Sequence, residues 1–491
     1  MNFIHSTYTT QNLYLGKPEA EAENVNKQQN LSAFYEDFLN IEHQVRNGYF
    51  IISGRKGTGK SAYAWHLMAL SENNENLYCN LVKKNDFNLE EIVQNLSGEQ
   101  IKYESLFEWI ILTRIVKLIL DSKRGKSHHL IKAIADFYKK NAGFVDIDKY
   151  TVTEILTNKE VNFSPLKNNF GFFRSLFGSK SIKAPFYRMI QPLREVLQQI
   201  VSMPLLEDVE FYILFDDLDV NFKLYNENDC TMLMDLVRIV RRYNTEYFRD
   251  SAVRILILMR DDIADRLVGV DCDKNKIFNS YEHVISWYDH DMAQKDERNI
   301  LLRRFINKRL AIAFKQLDIP YNIQDPWLTF VKEMDYEAKS SFKYILDHTF
   351  YIPRDLIMIF KDVGSKNMQL PLSHDDINSL LRDYSKMKRN EIEDELVALY
   401  TKEQIKSIFD SLKDVCNSWD ANYSMVIDIL KEHGLEESDF DNLLDYSLLI
   451  PIDKNGHMYF NYREKKMTNS YGDYMYNTPK ILTLYFKSFE M

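Results

Sequence analysis

Short apolar runs alternate with helical patterns over the first 300 residues of the chain. The run YFIISG stops at Gly54, and a helical segment over 61–70 and a second apolar run over 77–82 follow it. Two further apolar runs, EFYILF ending at Asp216 and VRILILM ending before Arg260, are separated by the helical segment CTMLMDLVRIVRRY. Strands that alternate with helices at this spacing predict a parallel α/β sheet.

The remaining pattern is mostly helical. The segment LSAFYEDFLNIEHQV predicts one amphipathic helix over 31–45, and the charged stretch KMKRNEIEDEL predicts a solvated helical linker. Asn455-Gly456 lies between two β-type runs and predicts a hairpin. The resulting map is a lead-in over 1–48, an α/β core over 49–294 with a helical insertion over about 83–205, a helical lid and linker over 295–400, and a winged-helix-like domain over 401–491.

The segment GRKGTGKS fits the phosphate-loop pattern G-x-x-x-x-G-K-[ST] at every fixed position. Glycines let backbone N–H groups turn inward around phosphates, the lysine reaches the β and γ oxygens, and the hydroxyl ligates Mg²⁺. Only 15 of the 491 residues are glycine, yet three lie in this loop, so a P-loop is favoured over an ordinary glycine turn. The residues predicted to hold ATP are Gly54, Arg55, Lys56, Gly57, Thr58, Gly59, Lys60, Ser61 and Ala62.

The sequence FDDLD supplies acids at the end of the next apolar strand. A P-loop works with a carboxylate that holds the magnesium, here Asp216 together with the hydroxyl of Ser61, and often with an adjacent acid that orients the attacking water. We expect Asp217 to be that base, with Asp219 as the competing candidate. Many ATPases carry glutamate at this second position, and the shorter aspartate predicts slow hydrolysis.

Several arginines are candidates for contacts with the γ-phosphate, because the guanidinium is always charged and clamps phosphate oxygens bidentately. Arg260 follows the VRILILM strand, and Arg354 follows a proline at a predicted helix start. Arg241 and Arg242 close the helix between the two strands and could act in trans on a neighbouring subunit. A salt bridge to nearby acids is the alternative for each of the four.

Together, GRKGTGKS, FDDLD, MRDDI and YIPRD resemble the AAA+-like ATPases of the origin-recognition and STAND branches, and GKPEAE at 16–21 is similar to the lead-in of a bacterial group within them. The resemblance spans about residues 13–365. It implies an ATP-dependent molecular switch with Mg²⁺, acting as a homo-oligomer or with an effector protein, of the kind found in anti-phage defence or mobile-element loci. KAP-type ATPases share DDLD but carry inserted membrane helices, which disfavours that branch.

Composition and charge narrow the remaining functions. A 45% hydrophobic content supports folded domains, and four dispersed cysteines without a CxxC pair exclude a disulfide scaffold and a zinc ribbon. No secretory signal and no membrane-spanning run are found, so we expect a cytoplasmic protein without a membrane role. The formal net charge of −10 disfavours coating of nucleic acid through overall charge.

One segment, residues 161–194, differs from the acidic chain around it, since it contains six basic residues and no acid. Phe170, Phe172, Phe173 and Phe177 are interleaved with the basic residues. Basic groups that track phosphates and aromatics that stack on bases would bind nucleic acid. Docking on an acidic protein and packing on the core remain open alternatives. In the winged-helix-like domain, the presumed recognition helix EESDFDNLLDY is acidic and would be repelled by DNA. The candidate nucleic-acid contacts are Lys167, Arg174, Lys180 and Lys183.

We therefore expect an ATP-binding and ATP-hydrolysing switch. A DNA-binding loader ATPase and an ATP-binding assembly scaffold with little hydrolysis are the alternatives.

Overall fold

The computed structural model describes most of the chain. The described residues are 8–24, 31–83, 103–140, 155–157, 182–184, 186–218, 227–267, 274–288, 296–333, 339–397, 399–418, 421–460 and 470–488. They form two compact units, one of Met1–Leu39, Lys56–Gly59 and Ser286–Met491, and the other of Asn40–Arg55 and Lys60–Ile285. We refer to these as the helical unit and the sheet unit.

A five-stranded parallel sheet forms the centre of the sheet unit. Its strands, in chain order, are β1 (Ile51–Ser53), β2 (Leu77–Lys83), β5 (Glu210–Asp216), β6 (Val253–Met259) and β7 (Glu282–Val284). In space the order is β2-β5-β6-β1-β7, and each neighbouring pair is parallel. The predicted parallel α/β sheet is therefore confirmed. The strand β7 was not predicted, because a strand of three residues is too short to form a recognisable pattern in the sequence.

The central strands are buried along their length, as their apolar runs require. Every residue of β1 is buried, and so is every residue of β5 after Glu210, because strands of a parallel sheet are covered on both faces. The helices of this unit are α3 (Ile41–Arg46), α4 (Lys60–Ser71), α5 (Tyr103–Asp121), α6 (His129–Lys140), α7 (Ile190–Val201), α8 (Glu227–Arg242), α9 (Asp261–Leu267) and α10 (Lys274–Tyr281).

The region between β2 and β5 contains the long helices α5, α6 and α7 and an antiparallel ribbon. The ribbon pairs β3 (Ile155–Thr157) with β4 (Ile182–Ala184). Helix α5 is buried from Leu106 to Val116, and its Glu108 accepts from Arg194 at 3.2 Å and Arg242 at 2.6 Å. Two arginines around one buried carboxylate satisfy a charge that would otherwise be costly in the core.

The helical unit begins in the lead-in and continues after residue 286. Its apolar core includes Trp327, Phe330, Phe342 and Phe360, whose rings meet edge to face. The helices are α1 (Ala20–Asn24), α2 (Leu31–Phe34), α11 (Leu301–Gln316), α12 (Trp327–Phe330), α13 (Ser341–Leu346), α14 (Pro353–Phe360), α15 (Val363–Lys366) and α16 (His374–Leu396).

The C-terminal part of this unit has the winged-helix-like arrangement predicted for it. Its elements are the helices α17 (Lys402–Asn417), α18 (Tyr423–Glu432), α19 (Glu437–Asp445) and α20 (Lys480–Lys487), and the strands β8 (Ala421–Asn422), β9 (Ile450–Ile452) and β10 (Met475–Asn477). The antiparallel order is β8-β10-β9. A turn forms at the predicted place, where Gly456 has a φ of 79° and Asp453 N–H donates to the carbonyl of His457.

Two predictions about helices are wrong. The helix expected over 31–45 is two short helices, α2 and α3, because Asn40 adopts a left-handed φ of 54° between them. The stretch expected to be a solvated linker is the end of α16, where Lys388, Ile392 and Leu396 are buried. Within the described part of the chain, no helix has both the length and the apolar character of a membrane span.

Candidate functional site

The phosphate loop begins at the carboxyl end of β1. Gly54 N–H donates to the carbonyl of Met259 at 3.2 Å, and the Gly54 carbonyl accepts from Asp261 N–H at 3.3 Å. Met259 is the last residue of β6, so the start of the loop is fixed beside the predicted γ-phosphate residue Arg260. This anchoring follows from the register of β1 and β6, in which Ser53 pairs with Met259.

Lys60 is the first residue of α4, and Ser61 and Ala62 follow it in the first helical turn. The Lys60 side chain is buried, and its ammonium donates to the carbonyl oxygens of Gly54 at 2.6 Å and Arg55 at 3.0 Å. The lysine therefore folds back over its own loop. A helix N-terminus that follows a glycine loop offers backbone N–H groups to an anion.

Asp216 ends β5 and is 3% exposed. Ser61 donates a hydrogen bond to its carboxylate, while the Oδ2 atom is buried and has no hydrogen-bond partner among the described residues. Burial and the neighbouring charge of Asp217 raise the pKa of Asp216 to about 6, against the opposing effects of Ser61 and Lys60. A buried carboxylate oxygen without a donor, next to a serine hydroxyl, fits the oxygen ligands that Mg²⁺ requires.

Asp217 lies just beyond the sheet and points into a different environment. Its backbone has a left-handed φ of 53°, its side chain is 47% exposed, and Lys83 Nζ lies 3.7 Å from its Oδ2. An exposed carboxylate is accessible to water, as a base that activates water must be. The competing candidate Asp219 lies outside the described residues.

Three of the candidate arginines lie in the sheet unit, and the structure gives two of them acidic partners. Arg260 donates through Nε and Nη2 to both carboxylate oxygens of Asp262, at 3.0 and 2.6 Å. Arg242 donates to Glu108 as part of the α5 core. Arg260 therefore forms the salt bridge to a nearby acid that was the alternative to a phosphate contact. Arg241 lies immediately before Arg242 in the last turn of α8 and is partly exposed. Its role in trans stays a prediction.

The tip of the phosphate loop, residues 56–59, belongs to the helical unit. Gly57 has a φ of 87°, and a Cβ atom built on it would lie 2.9 Å from Cβ of Arg354. Arg354 thus lies directly against the loop, in the first turn of α14 after Pro353 at its N-terminus. The predicted helix start after a proline is confirmed.

Two further residues of the helical unit contact the loop tip and were not predicted. Trp287 Nε1–H donates to the carbonyl of Thr58 at 2.8 Å, and Lys56 Nζ lies 3.8 Å from Glu395 Oε1 of α16. Nothing in the local sequence marks Trp287. Glu395 was missed because its helix was expected to be solvated.

The basic segment is only partly described. Residues 158–181, which include Lys167, Arg174 and Lys180, lie outside the described residues. Lys183 lies in β4, and its side chain also lies outside the description. Nucleic-acid contacts by this segment stay a prediction, and α19 carries the acids Glu437, Asp439 and Asp441 that were expected to repel DNA.

A P-loop on β1, a parallel sheet and a buried carboxylate at the end of β5 define a P-loop α/β protein. Residues 301–393, which run from α11 into α16, match the family described as the FunZ-associated C-terminal helical domain. No curated protein matches the chain.

Among solved structures, the chain is similar to the crystal structure of Cdc6p from Pyrobaculum aerophilum. The two are 11% identical with a TM-score of 0.29, over 96% of this chain and 97% of that chain. The strand order and the phosphate loop define the fold.

Proposed function

We propose that the chain binds Mg-ATP on the phosphate loop and hydrolyses it slowly, as an ATP-dependent molecular switch. The observation that carries the proposal is the Asp216 carboxylate, which is buried beside Ser61 and keeps one oxygen without a hydrogen-bond donor among the described residues. An orphaned buried oxygen is costly unless a ligand satisfies it. Bound Mg²⁺ would supply that partner and neutralise phosphate charge.

Five residues have separate roles in this proposal. The Lys60 ammonium, now on the Gly54 and Arg55 carbonyls, would turn to the β and γ oxygens, and Ser61 and Asp216 would hold the metal. Asp217 would accept a proton from the attacking water. Arg354, against Gly57, would contact the γ-phosphate.

The test of hydrolysis compares Asp217→Asn with Asp219→Asn in a steady-state ATPase assay and in Mg-ATP binding. We expect Asp217→Asn to lose at least about 100-fold in turnover, as removal of a catalytic base does, while Mg-ATP affinity stays within about threefold of wild type. Asp219→Asn should keep its turnover. Loss of turnover in Asp219→Asn alone would transfer the role of base to Asp219.

The setting that we propose for the switch is an oligomeric complex in anti-phage defence. The support is the resemblance of GKPEAE, GRKGTGKS and MRDDI to ATPases of such loci. Flanking genes that encode an effector nuclease or a membrane-disrupting protein would support this setting, and flanking genes of chromosome replication would favour a loader.

A further inference from the structure

The Arg354 guanidinium is held by two partners beside the phosphate loop. Its Nε–H donates to the carbonyl of Pro18 at 3.2 Å, and its Nη1–H donates to Oε1 of Glu391 at 3.0 Å. A guanidinium has five N–H donors, so these two contacts leave the Nη2 amino group for an anion. Arg354 is 19% exposed at its side chain, which limits the other orientations it can adopt.

Glu391 is itself fixed from its other side. Lys388, one helical turn earlier on α16, donates to Oε2 of Glu391 at 2.9 Å and to Oδ1 of Asp355 at 3.1 Å. Asp355 is fully buried, and its Oδ2 accepts from Phe350 N–H at 2.7 Å. Although burial opposes the charged form, Lys388 and Arg354 lower the pKa of Glu391 to about 2. Glu391 is therefore an anion with a fixed position at neutral pH.

The same face of α16 makes a second contact with the loop. Glu395 follows Glu391 by one helical turn and lies 3.8 Å from Lys56 of the phosphate loop. Two carboxylates of α16, Glu391 and Glu395, thus pair with Arg354 and with Lys56 of the phosphate loop. The Arg354 and Glu391 side chains are only 19% and 12% exposed, and a largely buried ion pair is weak evidence for stability because burying both charges costs solvation energy.

We infer that Glu391 is a positioning residue that orients Arg354 toward the γ-phosphate of bound ATP, and that α16 thereby distinguishes ATP from ADP. The inference rests on the proposed function, because it presupposes nucleotide on the phosphate loop. Holding Nε and Nη1 in place lowers the conformational entropy that Arg354 loses when Nη2 binds an anion. The Glu391 carboxylate acts through Arg354 and does not touch the nucleotide.

The experiment measures affinities of fluorescent ATP and ADP analogues, with Mg²⁺, for the full chain and four variants. Arg354→Ala should weaken ATP roughly 10- to 100-fold and leave ADP within twofold, as expected for one charge-assisted contact. Glu391→Gln should weaken ATP about 10-fold in the same selective way. The double variant Arg354→Ala/Glu391→Gln should match Arg354→Ala, because both changes remove one interaction.

The matched control is Glu393→Gln. Glu393 lies on the same helix and pairs with Arg389, so the substitution breaks an ion pair of α16 that involves neither Glu391 nor Arg354. It should leave the ratio of ATP to ADP affinity unchanged. If Glu391→Gln does not fold, Glu391→Asp keeps the charge for Lys388 but shortens the reach to Arg354, and it should lower the ratio by a smaller factor.

Three results distinguish a failure of the proposed function from a failure of the inference about Glu391. A wild-type chain that binds neither nucleotide contradicts the proposed function itself. A wild-type chain that binds both, with an unchanged ATP-to-ADP ratio in Arg354→Ala or Glu391→Gln, overturns only the inference. Losses that multiply in the double variant also overturn it, since they assign Glu391 a role independent of Arg354.

Discussion

At the residue scale, the site combines two neighbouring aspartates with opposite surroundings. Asp216 is buried at the end of β5 and has a raised pKa, whereas Asp217 turns outward through a left-handed backbone and lies near Lys83. A pair of acids in unlike environments is suited to separate roles, one on a metal and one on water. The sequence predicts both residues, but it does not predict the reversal of direction between them.

The raised pKa of Asp216 makes the free energy of unfolding of the ligand-free protein depend on pH. Because the folded pKa of about 6 exceeds the ordinary value of 3.8, this group favours folding most below pH 3.8, and that contribution is lost as pH rises through 6. Asp216→Asn should therefore stabilise the ligand-free chain at pH 7.5 by roughly 1–3 kcal/mol, and by less at pH 5. Thermal unfolding between pH 5 and pH 8 measures the difference. An Asp216→Asn variant that is less stable than wild type at pH 7.5 would contradict burial of a charged carboxylate as the cause of the raised pKa.

At the element scale, the lead-in segment is held in place by a buried ion pair. Gly16 has a φ of 113°, and Arg309 of α11 donates to the carbonyl of Leu15 at 2.8 Å and to Glu23 at 2.6 Å and 3.2 Å. A Cβ atom on Gly16 would lie 2.0 Å from Nη1 of Arg309. Only glycine therefore lets the GKPEAE segment pass over this arginine.

Gly16→Ala should lower stability through this clash and through the backbone strain of a positive φ. Gly48→Ala is the matched control, because Gly48 has a φ of 94° and a Cβ atom at this position would meet no other atom within 4 Å. We expect a cost of about 1–3 kcal/mol from strain alone in Gly48→Ala, and about 3 kcal/mol more in Gly16→Ala, where a buried pair is displaced. Thermal unfolding compares the two. Equal losses would show that the ion pair relaxes without cost.

Elements with a strong periodic pattern could be predicted from the sequence, and contacts between distant segments could not. β1, β2, β5, β6 and the start of α14 were predicted because apolar runs and a proline mark them locally. Lys388 was misjudged, although it falls in phase with the buried positions Ile377, Leu381 and Tyr384 of α16. Arg354 and Gly57 are 297 positions apart, so no local pattern brings them together.

At the scale of the whole molecule, the distribution of charge bears on whether DNA is a partner. The chain is acidic, with a formal net charge of −10, and α19 adds Glu437, Asp439 and Asp441 to the winged-helix-like part. Repulsion between these charges and a phosphate backbone disfavours DNA. The basic segment, residues 161–194, is the feature of the sequence that favours DNA binding.

Replacement of Lys167, Arg174, Lys180 and Lys183 by glutamine tests this segment. We expect weak or no DNA binding by the wild-type chain, in fluorescence anisotropy with a labelled single strand and a labelled duplex across a salt series. If the segment tracks phosphates instead, the variant should lower the salt slope by roughly one unit for each lost contact. Tight, ATP-stimulated binding that the variant loses would make a DNA loader the better account.

Mg-ATP binding to wild-type protein and to Lys60→Ala tests the central claim most directly. Isothermal titration calorimetry with and without Mg²⁺ measures it, and unchanged thermal unfolding of the variant without ligand shows that the fold is intact. We predict Mg-dependent ATP binding by the wild type and a loss of affinity of at least about 10-fold in Lys60→Ala, because one phosphate-binding charge is removed. Wild-type protein that binds no ATP, or a Lys60→Ala variant that binds and hydrolyses it normally, would contradict the account.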